Sequence, residues 1–258
     1  PFSFTSLRRH PRCLPVSWAR RWVYETAAPT GAPVTEASAD ATPDRDPAPA
    51  AREIDAVLYD FGNVLVGWDP YGAYDGVDRR DVDAFFADVD FRVLNHERDA
   101  GATWQDARDR VAATHPQHVA LLDRYVERFP ATLTGPVEGS EELVRELRDL
   151  GLRLYGLTNW SAELFAHAAP AAPATALMED VLVSGREGLA KPDPAIFALA
   201  VERFGLDPAR TLFTDDSPAN VDAARRLGLR THLFEGTAGL RAALRDLGVP
   251  VGPEGAGS

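Results

Sequence analysis

Short apolar runs alternate with stretches of helical periodicity along most of the chain after residue 52. A run of four to six apolar residues bounded by polar residues or glycine is typical of a buried strand, whereas apolar residues recurring every three or four positions indicate a helix. The predicted strands are 56–61, 153–158, 181–183, 211–214 and 230–234. The predicted helices are 79–89, 103–114, 117–129, 140–151, 161–168, 194–204, 218–227 and 238–247.

The order of these elements indicates the fold class. From residue 140 onward strands and helices alternate, which is the pattern of a parallel sheet covered by helices on both faces. Between the first strand and this alternating part, residues 70–135 carry helical patterns and no predicted strand. The sequence therefore predicts an α/β, Rossmann-like core formed by residues 52–69 and 136–250. Residues 70–135 are predicted to form a small helical cap inserted after the first strand.

The first 51 residues differ from the rest in composition. Residues 1–24 contain five arginines and no acidic residue, and residues 26–51 are rich in Ala, Pro, Thr and Asp. The basic part lacks the apolar core of about 7–15 residues that a secretory signal requires. We therefore expect residues 1–51 to form a disordered tail, basic at first and then Pro/Ala-rich.

Charge and composition exclude several classes of protein. The net charge of −12 argues against a nucleic-acid-binding protein, because phosphate backbones favour a basic face. No apolar run approaches the roughly 20 residues needed to cross a bilayer, so no membrane partner is expected. The single cysteine excludes a disulfide framework, and no Cys/His cluster has the spacing of a zinc site. We expect a cytoplasmic protein with a small-molecule partner.

Polar residues stand where the predicted strands end. In chain order they are Asp60, Thr158-Asn159, Lys191 and Asp215-Asp216. Any one of them could simply form a turn or cap a helix. Because the carboxyl ends of parallel strands share one edge, and ligands of open α/β sheets bind there, the set as a whole predicts a functional site.

Lys191 carries an argument of its own. It is the only lysine in the chain, whereas the other 26 basic residues are arginines. Because arginine supplies all the other side-chain cations, the one lysine indicates a position where a compact ammonium fits and a planar guanidinium does not.

Four ordered segments resemble the motifs of the haloacid dehalogenase superfamily. They are Asp60-Phe61-Gly62-Asn63-Val64, Leu157-Thr158-Asn159, Lys191-Pro192 and Phe213-Thr214-Asp215-Asp216-Ser217-Pro218-Ala219-Asn220. The resemblance covers about residues 54–248, and the interval after Asp60 has room for the cap that many members insert there. Together with Asn95-His96-Glu97-Arg98 in the cap, the first segment resembles a branch that includes small sugar-phosphate phosphatases, such as glucose-1-phosphate phosphatases.

The resemblance implies an Mg²⁺-dependent phosphomonoester hydrolase that acts through an aspartyl-phosphate on a small metabolite such as a sugar phosphate. Asp60 would be the nucleophile. The Mg²⁺ would be held by Asp60, the carbonyl of Gly62 and Asp216, with Asp215 binding directly or through water. Thr158 and Asn159 would hydrogen-bond the phosphoryl group, and Lys191 would neutralise its charge. Asn220 could brace Asp216 or simply begin a helix.

One position departs from the family pattern. Most phosphatases of the family carry a second aspartate two residues after the nucleophile as general acid and base, and this chain has Gly62 there. Such a group contributes about 10²–10⁴-fold to the rate. His96 or Glu97 could supply the missing group from the cap. Alternatively, the enzyme is slow or confined to good leaving groups, or the reaction is not phosphoryl transfer.

Two alternatives follow from this departure. Metal-free 2-haloacid dehalogenases of the family also lack the second aspartate, but Asp215 and Asp216 argue against that interpretation, because adjacent acids beside a carboxylate nucleophile repel one another without a cation. A catalytically weak protein that binds phosphate or a partner is the second alternative. The presence of Asp60, Thr158, Lys191 and Asp216 weighs against it.

Overall fold

The computed structural model describes residues 52–252, so the predicted tail of residues 1–51 lies outside the described residues. A five-stranded sheet with the order β5-β4-β1-β6-β7 forms the centre, and each neighbouring pair of strands is parallel. Its strands are β1 (Ala56–Tyr59), β4 (Arg153–Thr158), β5 (Asp180–Val183), β6 (Thr211–Asp215) and β7 (Arg230–Leu233). A two-stranded antiparallel ribbon pairs β2 (Val66–Trp68) with β3 (Leu133–Pro136).

Helices surround the sheet and fill the chain between β2 and β3. The helices are α1 (Arg79–Asp88), α2 (Phe91–Asp99), α3 (Trp104–Thr114), α4 (Val119–Glu127), α5 (Ser140–Asp149), α6 (Ala168–Ala171), α7 (Ser184–Glu187), α8 (Pro194–Phe204), α9 (Pro218–Arg226) and α10 (Thr237–Asp246). Among residues 52–252, none of these helices is both long enough and apolar enough to span a membrane.

The central strand β1 shows why the sheet forms here. All four of its residues are buried, and successive side chains point to opposite faces. Val57 and Tyr59 belong to one hydrophobic cluster, and Ala56 and Leu58 belong to a second. A strand buried on both faces reads as a continuous apolar run. The two clusters confirm the predicted α/β sheet with helices on both sides.

The predicted cap segment contains α1–α4, and aromatic side chains pack them together. Phe86 and Phe91 stack with ring centroids 4.3 Å apart, and Phe91 contacts Tyr125 edge-on at 4.9 Å. The expectation of no strand in residues 70–135 is wrong at its end, since β3 begins at Leu133. This strand has little apolar pattern of its own, and it forms because it pairs with β2. The boundaries of core and cap stay a prediction.

Two other differences concern helices. The sequence pattern missed α2, which follows Asp90 in a left-handed conformation (φ 46°) and is capped by that side chain. The predicted helix 161–168 is wrong in its first half: residues 162–164 form turns, and a 3₁₀ helix (Phe165–His167) and the short α6 follow. Tertiary contacts explain the turn, because the side chains of Ser161 and Glu163 both accept hydrogen bonds from Trp104.

Candidate active site

Asp60 follows β1 directly and is held through one of its two carboxylate oxygens. Oδ1 accepts a hydrogen bond from the backbone N–H of Phe61 (2.7 Å) and lies 2.8 Å from Nζ of Lys191. Oδ2 receives no hydrogen bond from any residue in the described part of the chain. The carboxylate is therefore fixed in orientation, and one oxygen remains available for chemistry.

Lys191 places a buried ammonium between two carboxylates. Its side chain is 1% exposed, and Nζ lies 2.6 Å from Asp215 Oδ2 as well as 2.8 Å from Asp60 Oδ1. Burial acts to lower the pKa of Lys191, but the charges of Asp60 and Asp215 outweigh burial and raise that pKa above its ordinary value. The single lysine of the chain is therefore a fixed cation beside Asp60.

Asn159 is committed to the backbone of Lys191. Its Oδ1 accepts from the Lys191 N–H (2.8 Å), and its Nδ2 donates to the Lys191 carbonyl (2.9 Å). The amide therefore positions the lysine. Because Nδ2 carries a second N–H, the expected hydrogen bond from Asn159 to a phosphoryl group stays a prediction. Thr158 differs, because its Oγ1 is buried and has no partner among the described residues. That hydroxyl therefore has an unused donor within the described part of the chain.

Asp215 is buried completely, and both of its oxygens are occupied. Oδ1 accepts from the Ser217 N–H (2.8 Å) and from Asn220 Nδ2 (3.0 Å), while Oδ2 accepts from Lys191 (2.6 Å) and again from Asn220 (3.1 Å). Asn220 thus braces Asp215, and the expectation that it braces Asp216 is wrong. These contacts leave Asp215 the least free of the acidic residues for binding a metal.

The acidic residues fit a hard cation. Asp60, Asp215 and Asp216 each offer a carboxylate oxygen, and these oxygens lie within 4.8 Å of one another. The carbonyl oxygen of Gly62 accepts no hydrogen bond from residues 52–252. Three carboxylates face one ammonium, so the cluster lacks positive charge. Oxygen donors in this number and charge suit Mg²⁺, with Asp60, Asp216 and the Gly62 carbonyl as the free members.

Burial and the neighbouring charges together shift the pKa of Asp60. Burial raises the pKa of Asp60 to about 7; Lys191 opposes this rise, and Asp215 and Asp216 add to it. Burial is also the main cause that raises the pKa of Asp216, and a hydrogen bond of 3.2 Å from Asn63 Nδ2 opposes it. A bound cation would restore both carboxylates to their charged form.

Gly62 occupies open space. A Cβ atom built on Gly62 would meet nothing within 4 Å. Its φ is not in the left-handed region, since the glycines with positive φ are other ones. Neither backbone strain nor packing therefore demands glycine here, and the position of the family's second aspartate is empty.

A cavity of about 130 Å³ adjoins Gly62 and Asn159. Much of its wall is apolar, formed by Trp68, Trp104, Tyr125, Phe129, Trp160 and Leu164. Trp104 joins the cap helix α3 to the loop after β4, because its indole N–H donates to Ser161 Oγ (3.2 Å). The cavity thus lies between residues of the predicted cap and the carboxyl edge of the sheet.

Besides the aromatic cap residues, two polar side chains of the predicted cap line this cavity: Asn95 and Asp99, one turn apart on α2. The expectation that His96 or Glu97 reaches it is not met. His96 is exposed, and Glu97 pairs with Arg110 (2.7 Å) on the helix surface. The helical geometry explains the difference, since residues 96 and 97 point to other faces of α2 than residues 95 and 99. Asp99 was missed because α2 itself was not predicted.

Asp99 stands in an unusual electrostatic environment. Burial raises the pKa of Asp99 to about 7, the charge of Asp60 raises it further, and Lys191 and Arg98 oppose the rise. Asn95 Nδ2 donates a hydrogen bond to Asp99 Oδ2 (3.2 Å). The carboxyl group is therefore coupled to the acidic cluster across the cavity.

Comparison with known proteins identifies the family of this chain. A family model described as haloacid dehalogenase-like hydrolase matches residues 34–228. The chain belongs to this family. A magnesium complex of a HAD family enzyme from Bacteroides thetaiotaomicron shares the fold, with a TM-score of 0.60 and 21% identity over 75% of this chain and 100% of that one.

Curated relatives in the same family include phosphatases. Protein CbbY of Rhodobacter capsulatus is 30% identical over 145 residues, which is 55% of this chain and 62% of the relative. The N-acetylmuramic acid 6-phosphate phosphatase of Pseudomonas aeruginosa is 32% identical over 117 residues, which is 45% of this chain and 51% of the relative. The matched region thus spans about half to three fifths of these relatives.

Proposed function

We propose that this member of the haloacid dehalogenase-like family is an Mg²⁺-dependent phosphomonoester hydrolase. The observation that carries the proposal is the geometry at Asp60: one oxygen held by Phe61 and Lys191, the other free, and two further acids within metal-binding distance. A carboxylate nucleophile splits one difficult displacement into two easier ones through a covalent aspartyl-phosphate. The phosphatases among the relatives support the same reaction class.

Each residue around Asp60 has a role in this scheme. Oδ2 of Asp60 attacks phosphorus, and water then hydrolyses the aspartyl-phosphate. Lys191 balances the negative charge on Asp60 and on the phosphoryl group as the transition state forms. The free hydroxyl of Thr158 donates to a phosphoryl oxygen. Asp60, Asp216 and the Gly62 carbonyl would hold Mg²⁺, with Asp215 contributing through water, and the cation would offset the repulsion between carboxylate and phosphate.

The cavity limits the organic part of the substrate. Its volume of about 130 Å³ is close to that of a cavity that holds benzene, roughly 150 Å³, so one six-membered ring fits. The polar side chains that line it are Asn95, Asp99, Asn159 and Ser161. An apolar wall with a few polar side chains suits a compact ring that carries hydroxyl groups. We infer a small phosphorylated metabolite such as a sugar phosphate.

A metal-free 2-haloacid dehalogenase is the second candidate, and Gly62 is the observation that favours it. The acidic cluster weighs against it. Asp216 is exposed beside Asp60 and is not neutralised by Lys191, whose ammonium is shared by Asp60 and Asp215. Without a cation, this extra negative charge would repel an anionic haloacid.

The proposal is tested by turnover with and without metal. The purified protein is assayed on 4-nitrophenyl phosphate, a panel of sugar phosphates and 2-chloropropionate, in Mg²⁺ and in excess chelator. We expect phosphate release only with Mg²⁺, and its loss by at least about 10³-fold in Asp60→Asn, because an amide cannot attack phosphorus. Asp149→Asn, an exposed aspartate at the end of α5, is the matched control and should be unchanged. Halide release in chelator would establish the alternative, and no phosphate turnover would reject the proposal.

A further inference from the structure

Two residues that line the cavity, Gly62 and Asp99, bear on proton transfer. On the sheet side, Gly62 leaves open the space where a side chain could donate a proton, with nothing within 4 Å of the position that a Cβ atom would take. On the cap side, α2 ends at Asp99, whose carboxyl group lines the same cavity. Among the described residues that line it, Asp99 is the only one with a carboxyl group.

We propose that Asp99 is the general acid and base of this site and replaces, from the cap, the group that Gly62 cannot supply. This inference rests on the proposed phosphatase function. It differs from the expectation that His96 or Glu97 does this work, since neither lines the cavity.

The proposed steps balance as follows. In the first step Asp60 Oδ2 forms a bond to phosphorus, the ester P–O bond breaks, and the leaving alkoxide takes the proton of the Asp99 carboxyl group. In the second step water attacks phosphorus and gives a proton to the Asp99 carboxylate, while the P–O bond to Asp60 breaks. The products are the alcohol and inorganic phosphate, and both carboxyl groups return to their starting state.

The surroundings of Asp99 support both halves of this cycle. A group whose pKa is raised to about 7 exchanges a proton readily near neutral pH. The charged groups that act on Asp99 are Asp60 and Lys191 from the sheet edge and Arg98 from α2. Asn95 donates to Oδ2, which leaves Oδ1 without a hydrogen bond from the described residues and free to face a substrate. The buried Tyr125 hydroxyl is a poor substitute, because burial raises the pKa of Tyr125 far above neutrality.

The test compares Asp99→Asn on two substrates with different leaving groups. For glucose 6-phosphate, whose alkoxide needs a proton, we expect kcat/KM to fall by at least about 100-fold. For 4-nitrophenyl phosphate, whose phenolate leaves without one, we expect a rapid burst of nitrophenolate equal to the enzyme concentration. Slow turnover then follows, because hydrolysis of the aspartyl-phosphate lacks its base, and the phosphorylated enzyme accumulates in mass spectra.

Controls separate the possible failures. Asp81→Asn, an exposed aspartate in the first turn of α1, should match the wild type on both substrates. Equal losses of Asp99→Asn on both substrates without a burst would make Asp99 a substrate-binding residue and overturn the inference, as would unchanged activity. A wild-type protein with no phosphatase activity would instead reject the proposed function, and the inference with it.

A second variant tests the inference by restoring the missing carboxyl group at another position. Gly62→Asp puts a carboxyl group into the open space at the family's position. In the double variant Gly62→Asp/Asp99→Asn, we expect turnover of glucose 6-phosphate to recover by at least about tenfold over Asp99→Asn. No recovery in a folded double variant, judged by circular dichroism, would count against a proton-transfer role for Asp99.

Discussion

The ammonium of Lys191 lies 2.6 Å from the carboxylate of Asp215, and both side chains are almost completely buried. Asp215 therefore positions the Lys191 ammonium, which in turn contacts Asp60. Removing one partner of a buried ion pair is costly, about 3–5 kcal/mol, because the other charge is left without compensation. The Lys191–Asp215 pair thus contributes both to the stability of this edge of the sheet and to the position of the cation beside Asp60.

Lys191→Arg tests whether a compact ammonium is required. The guanidinium is larger and planar, and a side chain that is 1% exposed has no room beside it. We expect a loss in kcat of at least about tenfold, equivalent to roughly 1.4 kcal/mol of transition-state stabilisation. Arg145→Lys on the exposed face of α5 is the control for exchange between the two cations and should leave kcat unchanged. Near-wild-type activity of Lys191→Arg would mean that the single lysine has no special role.

Thr158→Val separates a ligand-binding hydroxyl from a structural one. Valine has nearly the shape of threonine, and the Thr158 Oγ1 has no partner within the described residues. Removing a buried, unpartnered hydroxyl leaves no other group unsatisfied, so we expect the melting temperature to stay the same or rise. We expect phosphatase kcat/KM to fall by at least about tenfold. A drop in melting temperature with unchanged activity would show that the hydroxyl serves the fold.

Thr132→Val provides the matched comparison for that variant. Thr132 is equally buried, but its Oγ1 donates to the Phe129 carbonyl (2.7 Å). Here the hydroxyl satisfies a backbone group. We therefore expect this substitution to lower the free energy of unfolding by about 0.5–1.5 kcal/mol, and with it the melting temperature, and to leave activity intact.

The sheet and the main site residues could be predicted because their signals are local. Buried strands such as β1 read as continuous apolar runs, and residues at strand ends share one edge of the sheet. The partners of each side chain could not be predicted in the same way. The sequence places Asn159 at the end of a strand, but only the fold shows that its side-chain amide pairs with the backbone of Lys191.

Asp99 shows a second limit of prediction from the sequence. Helix α2 has nine residues, and its buried apolar side chains are Phe91 and Leu94, so its periodicity is too short to stand out. Without the helix, the turn that places Asn95 and Asp99 on one face is invisible. The neighbouring His96 and Glu97 then look equally suitable, although helical geometry turns them away from the cavity.

Asp216→Ala tests the metal. The substitution removes the exposed carboxylate of the cluster and leaves the buried Lys191–Asp215 pair in place. We expect the Mg²⁺ concentration for half-maximal activity to rise by at least about tenfold, with little change in melting temperature measured in chelator. Asp222→Asn, an exposed aspartate on α9, is the control. Wild-type activity that persists in excess chelator would contradict a metal-dependent reaction.

The last prediction concerns the pH dependence of stability. The ordinary pKa of an aspartate is 3.8, and in the folded chain the pKa of Asp99 is raised to about 7. Between these values the folded state binds more protons than the unfolded state, so the contribution of Asp99 to stability falls as pH rises through this window and is constant above it. Asp99→Asn removes the effect, because an amide does not titrate.

In metal-free buffer we therefore expect Asp99→Asn to melt at a higher temperature than the wild type at pH 8, with the difference narrowing as pH is lowered from 7 to 4. Asp81→Asn, whose carboxylate is exposed, should show no such trend. A difference between Asp99→Asn and the wild type that stays constant from pH 4 to pH 8 would show that Asp99 is not held in a protonation-sensitive environment.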